Sequence, residues 1–155
     1  MTDLLITAAE VLETAFPSNE YVPEGMIVPA RIETAQLGFL RPVFGKLYDK
    51  LGEEPYAAFC RTYIKPALAY YIRYLMVDEQ CAAIGAAGIR QNKSAYTEAV
   101  PDSRLHRLRR QARHDADTLL DKAIDYVENN PAMFPEYDPK ENIRRRVLIK
   151  GGFIL

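Results

Sequence analysis

Apolar residues recur along most of the chain at helical rather than strand spacing. Thr7-Ala8-Ala9-Glu10 has the form of a capping box, in which Thr7 accepts from the amide three residues on and Glu10 reaches back. It predicts a short helix from about Thr7 to Ala15, closed by Pro17-Ser18-Asn19, with a loop through Pro23-Glu24-Gly25. A second helix is expected from Pro29 to Leu51, because Ile32, Gln36, Leu40, Val43, Leu47 and Leu51 fall on one face with a single polar interruption. Pro42 should kink or split it near Arg41, and Gly52 should stop it. A third helix should start at Pro55 and run to about Ala83, with Pro66 marking a second kink. Its apolar residues spread over more than one face between Ala67 and Met76, which suits a central helix.

The helical pattern stops between Gly85 and Ser103, where a long connection or a short hairpin is expected. It resumes from Asp102 to Asn129 with the seam Leu105, Leu108, Ala112, Ala116, Leu119, Ala123 and Val127, and ends at Asn129-Asn130-Pro131. The expected fold is therefore mainly α: a small helical bundle over residues 1–137, with kinked long helices, and an extended C-terminal arm over 138–155.

Composition fits this picture. The chain has 155 residues, 48% hydrophobic and 26% charged, enough for one globular core. A net charge of -1 lacks the basic surplus of a dedicated duplex-DNA binder. The N-terminal stretch has neither the basic start nor the long apolar run of a signal peptide, and no stretch reaches the ~20 apolar residues of a membrane span. Without a secretory signal, the Asn92-Lys93-Ser94 sequon carries no meaning. Cys60 and Cys81 make no C-x-x-C pair and read as buried thiols.

Candidate chemistry is sparse. Gly85-Ala86-Ala87-Gly88 lacks the Lys-Ser/Thr pair and the preceding strand that a phosphate loop needs, and reads as a flexible connection. His106 and His114 lie two helical turns apart, too far to share one ion, so no metal or cofactor is expected. Ser94, Ser103 and Cys60 sit in no nucleophile motif. The chain reads as a structural subunit rather than an enzyme.

Three features point to contacts instead. The last helix opens with Arg104, Arg107, Arg109, Arg110 and Arg113 and closes with Asp115, Asp117, Asp121, Asp125 and Glu128, an order that opposes the helix dipole. It is explained either by a solvated face with Arg113–Asp117 pairing or by the basic half of one subunit meeting an acidic surface of the next. Tyr56, Tyr63 and Tyr70 recur every seven residues among ten tyrosines, fitting core packing first and interfaces second. The C-terminus follows Arg144-Arg145-Arg146 with Val147-Leu148-Ile149 and Phe153-Ile154-Leu155, either a strand pairing within the domain or an arm that adds to a neighbour.

Taken in order, the pieces Leu5-Ile6-Thr7-Ala8-Ala9-Glu10, Ala35-Gln36, Arg41-Pro42-Val43-Phe44-Gly45-Lys46-Leu47-Tyr48, Tyr63-Ile64-Lys65-Pro66-Ala67-Leu68, Gly88-Ile89, the Arg-rich helix with Tyr126-Val127-Glu128-Asn129-Asn130, and Phe134-Pro135-Glu136-Tyr137 resemble the small helical head–tail connector (adaptor or ring) proteins of tailed bacteriophages. The resemblance implies a ring, commonly twelve-fold, made in the host cytoplasm and placed in the virion at the head–tail junction. Its partners would be copies of itself, the portal protein, and other neck or tail proteins. DNA would pass through without sequence-specific binding, and no membrane, cofactor or catalytic residue is implied. The interface residues expected on this reading are Arg104, Arg107, Arg110, Arg113, Asp117, Asp121, Asp125, Arg144, Arg145, Arg146, Leu148, Ile149, Phe153, Ile154 and Leu155. The alternative is a helical regulatory or nucleic-acid-binding module that uses Arg104 to Arg113.

Overall fold

The computed structural model describes residues 3–16, 22–85, 91–93, 96–98 and 102–146, with side chains described for 3–16, 22–77 and 103–146. The architecture is mainly helical, as the periodicity predicts. The helices are α1 (Ala8–Ala15), α2 (Pro29–Ala35), α3 (Arg41–Phe44), α4 (Ala57–Phe59), α5 (Lys65–Gly85) and α6 (Asp102–Asn129). A two-stranded antiparallel hairpin, β1 (Gln91–Lys93) and β2 (Tyr96–Glu98), occupies the connection between α5 and α6, with Asn92 opposite Thr97. No helix among the described residues is long and apolar enough to cross a membrane.

The capping box at Thr7 forms as read: its hydroxyl accepts from the Glu10 amide while the Glu10 carboxylate accepts from the Thr7 amide. Glu10 also takes Lys65 of α5 at 2.6 Å, which ties α1 to the central helix. That bond, followed by the one from the Thr7 backbone, holds the Glu10 carboxyl below the ordinary range. The closing Pro17-Ser18-Asn19 lies outside the described residues.

Both internal prolines are accommodated by the same device. A proline lacks the N–H of its turn, and its ring crowds the carbonyl four residues back. Residues Gln36–Leu40 and Cys60–Ile64 form π turns that end two residues before Pro42 and Pro66. The amides of Arg41 and Lys65 reach back five residues, to the carbonyls of Gln36 and Cys60. The wider turn moves the crowded carbonyl away from the proline ring, so α2 continues into α3 and α4 into α5.

The helix expected to reach Leu51 instead stops at Phe44. Gly45 takes φ 53° and ψ -123°, a conformation that side chains rarely adopt, and a tight 3-10 stretch (Gly45–Lys50) follows. A Cβ at this position would lie 2.5 Å from a Glu141 carboxylate oxygen, so the glycine also makes room for the chain beyond α6. Leu47 and Leu51 are nonetheless fully buried in the core.

α5 is the centre of the bundle. Ala67, Leu68, Ala69, Tyr71 and Ile72 are all fully buried, packed against α6, α1 and α2. Burial on successive positions is what the two-faced apolar pattern predicts. Cys60 is buried, which pushes its thiol up to about 11 and keeps it protonated at neutral pH. Phe59, Tyr63, Tyr126 and Phe134 stack into one aromatic cluster, with the Tyr63 and Tyr126 rings 4.5 Å apart. Tyr56 joins it at Phe134 and donates its hydroxyl to Glu136. That bond first, and burial second, push the Tyr56 hydroxyl up to about 12.

Gln36, the polar interruption on its face, is fully buried. Its carbonyl accepts from the Leu5 amide at 2.7 Å, and its amide donates to the Asp3 carbonyl and the Tyr48 hydroxyl, each at 3.1 Å. The side chain thereby pins the N-terminal segment, including buried Ile6, against the 3-10 stretch. Gln36→Leu should leave these partners unpaired and cost about 1–3 kcal/mol, read as a lower urea midpoint at unchanged slope. An unchanged midpoint would show that water replaces the amide there.

Candidate functional site

The charged surface of α6 is built in two halves, and the chain beyond the helix decides what each presents. Asp117 is the junction. It accepts from the Tyr71 hydroxyl of α5 at 2.5 Å, from Arg113 Nε at 3.1 and 3.2 Å, and from Arg144 Nη1 at 3.0 Å. Partial burial pushes its carboxyl up, but the bonds from Tyr71 and Arg113 and then Arg144 outweigh that and hold it below the ordinary aspartate range. Burial, then the same bond to Asp117, drives the Tyr71 hydroxyl well above the ordinary tyrosine range.

Arg113 also lies over three rings, with its guanidinium 5.1 Å from the Phe39 centroid, 5.7 Å from Tyr71 and 5.4 Å from Tyr74. Phe39 stacks on Tyr71 at 4.1 Å. Arg109 lies over Tyr74 at 5.1 Å and donates to its hydroxyl at 3.3 Å. These two arginines are therefore fixed by packing and cation–π contact as well as by charge.

The acidic half is covered by the segment after α6. The 3-10 turn Pro131–Met133 and the turns at Phe134–Tyr137 reverse the chain, so that residues 142–146 run beside the helix they follow. Asn142 is fully buried: its amide donates to the Tyr137 hydroxyl at 2.9 Å, and its carbonyl accepts from the Arg144 amide at 2.9 Å. The Ile143 amide donates to the Pro42 carbonyl at 3.2 Å. Arg144 then bridges Asp117 and Asp121, the latter at 2.8 Å, and Arg145 bridges Asp125 and Glu128, each at 3.1 Å. Tyr137 donates to Glu128 at 2.9 Å; burial first, partly opposed by Asn142 and aided by Glu128, pushes its hydroxyl up to about 12. Burial raises the Glu128 carboxyl, but Arg145 and Tyr137 hold it below its ordinary range.

Of the two readings of the acidic stripe, the Arg113–Asp117 pair of the first is formed within the chain. Asp117, Asp121 and Asp125 are met by the chain's own Arg113, Arg144 and Arg145, at the high effective concentration of a short connection. Residues 142–145, in the first part of the expected C-terminal arm, contact the bundle through these bonds. Arg146 is exposed and donates to the Lys140 carbonyl at 3.0 Å. Leu148, Ile149, Phe153, Ile154 and Leu155 lie outside the described residues.

The basic half divides differently. Arg109 and Arg113 turn inward, whereas Arg104, Arg107 and Arg110 stay exposed. Arg107 and Arg110 border an open groove together with Tyr74, Ser103, His106 and His114. Leu108, expected in the apolar seam, is 42% exposed and edges a neighbouring depression against Phe16 and Tyr70. Sequence reasoning did not single out Phe39, Asn142 or Tyr137 as partners of this surface. Only the run of three arginines, Arg144 to Arg146, soon after the acidic half of α6 hinted at the clasp. Among the described residues, no three His, Cys, Asp or Glu side chains come together in ligating geometry.

The clasp should weaken in acid. Asp117 and Glu128 have lowered folded values, so their contribution is full above the unfolded carboxylate value of ~4 and is lost as pH falls through the folded ones. Arg144→Gln with Arg145→Gln should reduce stability by about 1–3 kcal/mol and flatten its dependence on acid and salt. Amide-exchange protection at Ile143 reads the detachment directly, and unchanged protection in the double variant would disprove the clasp.

No curated protein and no solved structure matches the chain. A family of unknown function, DUF6712, matches residues 38–147, which run from the first π turn through the clasp. The chain belongs to that family.

Proposed function

We propose that the protein is a virion structural subunit, a head-to-tail connector that assembles with copies of itself into a ring between portal and tail and continues the DNA channel. The observation that carries this reading is where the connector-like pieces fall. Ala35-Gln36 supplies the buried glutamine that pins the N-terminal segment, and Arg41 to Tyr48 spans the first proline and the Gly45 break. Tyr63 to Leu68 straddles the second π turn, and Phe134 to Tyr137 turns the chain back into the clasp. The pieces are thus the joints of one bundle.

A structural role is also supported by how the perturbed groups are used. Tyr56, Tyr71 and Tyr137 each donate to a carboxylate, joining separate stretches of the chain. Those carboxylates, Glu136, Asp117 and Glu128, are held in turn below their ordinary ranges by these same contacts and the clasp arginines. The bundle is held closely by such links, as a subunit that bears load between neighbours requires.

Sedimentation velocity with negative-stain imaging tests the proposal. The full chain should form closed rings, commonly twelve-fold, at high concentration. Removing residues 147–155 should leave the helical circular-dichroism signal intact and impair assembly with a neighbour or partner. A chain that stays monomeric at every concentration, with and without a portal ring, would refute the connector reading.

A further inference from the structure

We infer that the outward face of the first half of α6 binds a phosphodiester backbone, through Arg104, Arg107 and Arg110. These three side chains are exposed, and none of the ion pairs among the described residues involves them. Around the helix Arg107 and Arg110 lie on the side away from the buried Ala112 and Ala116, and Arg104 lies to one flank of them. At about 1.5 Å per residue they span about 9 Å along the axis.

The floor of the groove is cationic and fixed. Arg109 and Arg113 are held over Tyr74 at 5.1 and 5.4 Å, where they add charge without having to be ordered on binding. Asp117 is the acid among the described residues that line the groove, and Tyr71, Arg113 and Arg144 already meet it. Farther along, Arg144 and Arg145 cover the acidic half of the same helix. A helix that is bipolar in sequence therefore presents a much more one-signed surface once folded. The positive end of the helix dipole adds to this field.

An acidic surface of a second copy is the weaker fit. The depression bordered by Asp3, Asp49 and Glu53 also contains Arg41, and Glu53 is paired with Lys50 at 2.9 Å. That surface is mixed in sign and gives the three arginines no matching acidic face. The inference stands apart from the connector reading, since a ring could form without it, and the groove could bind DNA in a protein that forms no ring.

Fluorescence anisotropy with a labelled random-sequence duplex of about 20 base pairs tests it on the full chain. Three phosphate contacts predict weak binding whose affinity falls roughly 40-fold between about 50 and 200 mM salt, a log–log slope near about -3. Arg107→Gln with Arg110→Gln should bring the slope to about -1, while the two Lys substitutions should keep it. Superposable thermal melts of the variants show that the fold is intact. Absence of binding at low salt, wild-type affinity in the Gln variant, or equal competition by polyglutamate would each overturn the inference, the last in favour of an acidic protein surface. Ring formation is measured without DNA, so its failure is read separately.

Discussion

Asp117 carries one negative charge at the place where three parts of the chain must meet. Tyr71 approaches from the buried helix α5, Arg113 from one turn earlier on α6, and Arg144 from the segment that follows α6. Each donor alone would be a modest contact. Together they fix the rotation of α6 on α5 and the point where the returning chain lands. The Tyr71 ring in turn carries Phe39, so the position of α2 and its π turn is tied to the same carboxylate. A partly buried charge is tolerated here because its lost hydration is replaced by three donors.

The path of the chain up to this junction depends on backbone adjustments rather than on charge. Pro42 and Pro66 each lie within a helical run, and each is preceded by a π turn that ends two residues earlier. Without that turn, the ring would collide with the carbonyl four residues back and the run would break. Gly45 then supplies a true break, which leaves room for Glu141 beside it. The prolines are thus carried within continuous helical runs by π turns, and the break falls at a glycine.

Much of the bundle was legible in the sequence. Thr7 and Glu10 announced the first cap, the double-faced apolar run announced the central helix, and Gly85 to Ser103 was read as a connection with room for a hairpin. What stayed hidden was non-local. Periodicity cannot distinguish a π turn from a kink, since both follow from the same proline. It carried Leu47 and Leu51 correctly to the inward side but missed the break between them and Phe44. Gln36 looked like an interruption because its three partners, Asp3, Leu5 and Tyr48, come from distant positions. For the candidate site, the charge order of α6 was plain, but the partner of each half was not.

That order can now be given a physical reason. Acids near a helix C-terminus and bases near its N-terminus both oppose the helix dipole, so each half of α6 needs a compensating charge. For the acids it is local: Arg144 and Arg145 arrive on a short return held by Asn142. Arg109 and Arg113 find theirs in aromatic rings and in Asp117. Arg104, Arg107 and Arg110 receive no such compensation from the described residues. The arginines after α6 also strengthen the field that these three feel by removing the acids that would have offset it. The clasp and the open basic face are thus one electrostatic arrangement. Closing the acidic half is what leaves the other half available to an anion from outside the chain.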